Sequence, residues 1–123
     1  MPQLTAKRVN HYGDCAEVTL TSANAELIAF CFPGEVSEGD RVPNLLYAFD
    51  SSVQAAYLMD WPEDKKLLAG AERLERIGPS GYRGCGRVVD EQAGLVEVFG
   101  FVIQFEEVPW DGPVEFECMR IDF

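Results

Sequence analysis

Histidine is almost missing from this chain: His11 is the only one. Cationic side chains are few, 10 Lys and Arg against 21 Asp and Glu, which leaves a formal net charge of −11. Nucleic-acid backbones and anionic membrane surfaces repel such a chain, so neither is its expected general target. Long apolar runs are absent too. The longest, 27–32 and 99–103, are strand-sized, well short of the roughly 18 residues that span a bilayer as a helix. Residues 1–8 hold no apolar stretch of signal-peptide type, so the expected location is cytoplasmic. Cys15, Cys31, Cys85 and Cys118 contain no Cys-x-x-Cys pair. With a single histidine they make no recognisable zinc set. Reduced, buried thiols are the expectation for a cytoplasmic protein. No repeat, low-complexity tract or linker interrupts the chain, and no motif calls for a metal or cofactor.

What is there is an ordinary globular composition. Hydrophobic residues make up 47% and charged residues 25% of 123 positions, which points to one folded domain over 1–123.

Alternation sets the first elements. Ala16, Val18 and Leu20 alternate with Glu17, Thr19 and Thr21, a half-buried strand that extends back to Leu4 if Gly13-Asp14 is a bulge or bend. Residues 27–32 are apolar on both faces and read as a central strand that Pro33-Gly34 stops. Arg41-Val42-Pro43 leads into a third strand at 45–49. From Ser51 to Ile77 only Val53 and Ile77 are β-branched. That depletion predicts a helical insert over about 51–77. A first short helix is capped by Asp50, Ser51 or Ser52 and runs to about Met59. A second starts at Pro62, with Asp60 as its cap, and ends at Gly78. Leu67, Ala71 and Leu74 form its apolar stripe, and Glu72 and Arg76 its i,i+4 pair. A strand over 72–77 competes with that reading. Strand character returns over 82–90, where Gly84 and Gly86 share a face and permit sharp coiling or close backbone approach. A long strand over 95–106 has Gly100 as its kink. The last strand, 114–123, flips its apolar parity between Cys118 and Met119, which implies a bulge or burial on both faces.

The result is a mainly β chain: a small antiparallel barrel of five to six strands with its helical segment between strands three and four. That order resembles the OB-fold, a five-stranded Greek-key barrel, as an architecture rather than through any motif.

Chemistry is sparse. His11 and Cys15 lie four apart, and a straight strand puts both on one side, but no third residue orients them as a nucleophile pair requires. Gly84-x-Gly86 lacks the rest of a dinucleotide fingerprint. The acids crowd three loops: Glu35, Glu38 and Asp40; Asp60, Glu63 and Asp64; Glu106, Glu107 and Asp111. None has the offsets of a calcium loop. Trp61 and Trp110 sit beside prolines in loop positions. One basic cluster, Arg73, Arg76, Arg83 and Arg87 with Tyr82, runs against the global charge.

Three functions compete. The first is a non-catalytic binding module, an inhibitor or immunity-type protein that meets a basic partner through Asp40, Trp61, Glu63, Asp64, Glu106, Glu107, Trp110 and Asp111. The second is an OB-like binder of single-stranded nucleic acid using Arg73, Arg76, Tyr82, Arg83 and Arg87. The third is a small-molecule or enzyme site in the barrel mouth, recognisable by a buried carboxylate or thiol with a shifted pKa. The first is the expectation.

Overall fold

A computed structural model describes residues 3–32 and 34–123. Ten strands and one helix follow in order: β1 (Gln3–Tyr12), β2 (Cys15–Thr21), β3 (Glu26–Cys31), β4 (Arg41–Pro43), β5 (Leu46–Ala55), α1 (Glu63–Ala69), β6 (Arg73–Ile77), β7 (Gly81–Asp90), β8 (Leu95–Val98), β9 (Phe101–Gln104) and β10 (Pro113–Asp122). The expected strand stop at Pro33 lies outside the described residues.

Five strands close a ring. β7, β8 and β9 form an antiparallel meander. β10 pairs antiparallel with β7 on one side and with β5 on the other. β5 meets β9 in parallel, Leu46 opposite Ile103, and completes the barrel. The expected small barrel with one short helix is therefore the observed architecture. The helix follows the strand at 46–55, and β6 stands between it and the strand at 81–90.

The first strands lie outside the ring. β4, β1, β2 and β3 form an antiparallel arm that joins β10 through one parallel contact, Phe30 opposite Asp122. Gly13-Asp14 is a hairpin turn rather than a bulge, since Tyr12 pairs directly with Cys15 and Gly13 has φ +61°. The bulge falls instead between Ala6 and Arg8, where Ala6 exchanges backbone hydrogen bonds with Gly39 and Asp40 at 2.8 Å. One buried cluster joins arm and barrel, from Leu4, Val18 and Leu20 to Phe101, Ile103, Phe116 and Ile121. The rings of Phe105 and Phe116 meet at 5.1 Å.

β7 is the strand that needs its glycines. A Cβ on Gly84 would stand 2.4 Å from the Arg73 carbonyl and 2.9 Å from the Phe116 ring. Bare backbone there lets β6 and β10 close on both edges of one coiled strand.

The structure corrects three elements. The helix expected from Asp50, Ser51 or Ser52 to Met59 is the second half of β5. Ser51, Val53 and Ala55 alternate half-buried with exposed Ser52 and Gln54, and each finds a ladder partner on β10. The helical insert over 51–77 reduces to α1, because Gly70 ends it and the segment after it pairs with β7 as β6, the competing strand reading. Ala71 and Leu74 therefore add no turn to a helical stripe, and Glu72 and Arg76 are no i,i+4 pair. The long strand over 95–106 is a hairpin. Phe99 (φ +47°) and Gly100 (φ +85°) are the two positive-φ residues of its turn, the combination a type I′ connection demands.

That turn is clamped from three sides. Ser22 Oγ donates to the Phe99 carbonyl at 2.6 Å, Glu72 accepts the Phe99 N–H at 2.6 Å, and the Asn44 side chain donates to the Gly100 carbonyl at 2.8 Å while accepting the Val102 N–H at 3.0 Å. The parity flip in β10 is real: Val114, Phe116 and Cys118 point inward, and Ile121 takes over past exposed Met119. Asp50, at φ +52°, absorbs the irregularity on β5, between the paired positions Phe49 and Ser51.

Candidate protein-docking surface

The segment between β5 and β6 leaves the barrel and does not return to the core. Ala56 is tied down by its N–H to the Pro113 carbonyl. Beyond it Leu58, Met59 and Trp61 are exposed. Pro62 then sets the helix entry with φ −58° and ψ 147° and acts as N-cap without a side-chain hydrogen bond, so the helix starts at Glu63, one residue later than expected, and Asp60 is not its cap. Glu63 and Asp64 occupy the first turn, where the helix dipole favours negative charge.

α1 is seated by one edge only. Lys66 lies 5.7 Å from the Tyr57 ring centroid and 3.5 Å from Glu63. Tyr57 meets Trp110 edge-on at 5.4 Å. The Ala69 carbonyl accepts from Arg73 at 3.2 Å and from the Cys85 thiol at 3.6 Å. None of the helix residues is buried. Leu67 is 76% and Leu68 78% exposed, Met59 70%. Fully burying a side chain of this kind is worth about 1.5–3 kcal/mol, so this face carries unused apolar surface. Asp60, Glu63 and Asp64 are exposed in the same segment.

Among the residues expected at a protein contact, Trp61, Glu63 and Asp64 lie exposed in this one segment. Trp110 is half-buried: its ring N–H donates to the Pro113 carbonyl at 2.8 Å, and its ring meets that of Tyr57. Asp111 follows it, exposed. Glu106 and Glu107 are exposed between β9 and β10. Asp40 belongs to the arm, where its carboxylate accepts the Ser37 N–H at 2.9 Å. Leu58, Met59, Leu67 and Leu68 were not among the expected contacts. Their signal was adjacency: Leu67-Leu68 in a helix bounded by Pro62 and Gly70 is too short to turn both inward.

The basic cluster does not converge on an open anion site. Arg73 pairs with Glu115 at 3.2 Å, Arg83 with Glu75 at 3.3 Å and Arg87 with Glu97 at 2.8 Å. Arg76 donates to the Pro79 carbonyl. Tyr82 is buried, its hydroxyl accepts the Ile28 N–H at 2.8 Å, and burial pushes its pKa up. The depression of about 340 Å³ over β5, β6, β7 and β10 is lined by Arg73 and Arg83 but equally by Glu115 and Glu117.

The expectation of buried thiols holds for Cys85 and Cys118, whereas Cys15 and Cys31 are only half-buried. Burial raises the Cys85 pKa and pushes Cys118 up to about 11, the opposite of nucleophile activation. His11 pairs with Ala16 and Tyr12 with Cys15, so His11 and Cys15 point to opposite faces of the β1–β2 hairpin. Among the described residues no group of three or more His, Cys, Asp or Glu side chains could hold a metal, and no helix is long and apolar enough to cross a membrane. Comparison with protein-family models, with curated proteins and with solved structures returns no match.

Proposed function

We propose that the chain is a non-catalytic protein-binding module that docks a basic partner through the α1 face. The observation that carries this reading is the segment 58–68, in which Leu58, Met59, Trp61, Leu67 and Leu68 stand exposed among exposed Asp60, Glu63 and Asp64. Apolar side chains grouped on a surface mark interaction sites, and exposed acids on a chain of net charge −11 select a cationic surface and speed encounter with it. The partner therefore offers an apolar pocket ringed by Lys and Arg. An acidic inhibitor that blocks a cationic enzyme has these properties. The nucleic-acid alternative draws less support, because Arg73, Arg83 and Arg87 already hold carboxylates.

The test is a paired capture. The immobilised wild type and a Leu67→Asp/Leu68→Asp variant are exposed to nuclease-treated lysate of the source cells at low salt, and eluted with a salt gradient. The captured species is then purified and titrated against both chains. The reading expects one basic protein, bound one-to-one by the wild type, released by moderate salt and at least about a hundredfold weaker on the variant. Equal binding to both chains, or a complex indifferent to salt, overturns it.

A further inference from the structure

β3 joins the barrel ladder at one pair, Phe30 opposite Asp122, and residues 26–29 have no ladder partner on that side among the described residues. Tyr82 of β7 fills the opening. Its hydroxyl accepts the Ile28 N–H at 2.8 Å, and the residue is 5% exposed. A phenol hydroxyl accepts and donates, and the Tyr82 proton finds no acceptor among the described residues. Tyr82 and Ile28 both border a cavity of about 300 Å³, which Lys7, Arg8, Thr19 and Glu26 also line.

The bulge in β1 supplies the charge. Ala6 is buried and Val9 packs against the core, while Lys7 and Arg8 between them are both exposed. The extra residue thus turns two consecutive cations to the outer face, as a bulge permits and a regular strand does not. Arg8 stands opposite Thr19, and Thr19 opposite Ile28, so the three share that face. Lys7 is held by Glu26 across β2. Arg8 has no ion pair or side-chain hydrogen bond among the described residues, unlike Arg73, Arg83, Arg87 and Arg120, which all hold carboxylates.

We propose that this cavity binds a small monocarboxylate, whose oxygens take the Arg8 guanidinium and the Tyr82 O–H and whose apolar part lies against Ile28. A guanidinium matches a carboxylate with two parallel N–H donors, and the Thr19 hydroxyl is a further donor on the same wall. Burial pushes the Tyr82 pKa up, so the O–H is kept at neutral pH. One uncommitted cation balances one negative charge. A dianion such as a phosphate monoester meets a chain of net charge −11 and Glu17, two positions along β2 from Thr19 on the same face and near enough to add to burial in raising the Tyr82 pKa. The volume is at the small end of ligand pockets. The cavity shares no residue with the α1 face, so a ligand here and a protein partner there are tested separately.

The experiment is an amide NMR titration of the full chain with acetate, isobutyrate and benzoate, with the amide of each acid and with inorganic phosphate. It is run on the wild type, Arg8→Gln and Tyr82→Phe. At least one carboxylate should shift the Arg8, Thr19 and Ile28 resonances saturably, with a dissociation constant of about 1 mM or tighter. The matching amide and phosphate should bind at least about tenfold more weakly, and each variant should weaken the carboxylate at least about tenfold. Arg8 is exposed, so Arg8→Gln keeps the wild-type spectrum away from the cavity and isolates the charge. The proposal is overturned if none of the three carboxylates gives a saturable shift at these residues, if Arg8→Gln binds as the wild type does, or if the amide or phosphate binds as tightly as the carboxylate.

Discussion

Replacing Asn44 by Ala removes both hydrogen bonds by which that side chain holds the β8–β9 turn. Asn44 is the one buried polar residue among those described, 6% exposed. Its amide N–H donates to the Gly100 carbonyl at 2.8 Å, and its oxygen accepts the Val102 N–H at 3.0 Å. The alanine variant leaves a carbonyl and an N–H without partners. Each orphaned group costs about 1–3 kcal/mol. Both are on residues of intermediate exposure, so water recovers part, and about 3 kcal/mol is the expected total. The turn itself adds leverage. Phe99 sits at φ +47°, a conformation a bulky residue holds only under restraint. With an unfolding entropy near 2.1 cal/mol/K per residue over 123 residues, the loss lowers Tm by about 12 °C. Urea titration followed by circular dichroism gives the free energy, and amide exchange reads Val102 directly. A loss below about 0.5 kcal/mol, with Val102 exchange unchanged, would refute the claim that Asn44 pins this turn.

Three further outcomes follow from the same structure. Gly84→Ala drives a Cβ to 2.4 Å from the Arg73 carbonyl and should cost about 2–3 kcal/mol in urea titration, whereas a neutral result would mean that β6 and β7 do not approach as described. Alkaline stability should fall with Cys118: its thiol ionises near its ordinary value of 9.0 once unfolded but only at about 11 when buried. Above pH 9 the unfolded chain has lost a proton that the native chain keeps, so stability present below pH 9 declines by on the order of 2–3 kcal/mol by pH 11. Cys118→Ala should flatten that decline, leaving the part due to Cys85 and Tyr82, whose pKa values burial also raises; an unchanged slope removes Cys118 as its source. Leu68→Asp should leave Tm within about 2 °C, because the side chain is 78% exposed, and a larger fall would place Leu68 in the packing of the fold.

The barrel was legible where side chains alternate or where glycine has a steric task. Ala16, Val18 and Leu20 are all buried in β2, and Gly84 lies at a close approach. Reading failed where pairing overrode local preference. Ser51, Ser52 and Gln54 carry no strand signal of their own, yet the edge of β10 extends β5 through them. Arg73–Ile77 fits a helix by composition until β7 offers a ladder. Phe99 hid a hairpin because a bulky residue at positive φ goes against the turn chemistry that sequence reading relies on, and only Ser22, Asn44 and Glu72, all distant in the chain, explain it. The docking face was half legible: Trp61, Glu63 and Asp64 stood out as loop residues, while Leu67 was assigned to an apolar stripe that a seven-residue helix does not complete.

The account rests on the α1 face being where a partner sits, and hydrogen exchange of the chain with and without its captured basic partner tests that most directly. Protection over residues 57–69, with β6 and β7 unchanged, is the predicted result. Protection over 73–87 with none over 57–69 would contradict it and would point to the arginine-bearing strands instead.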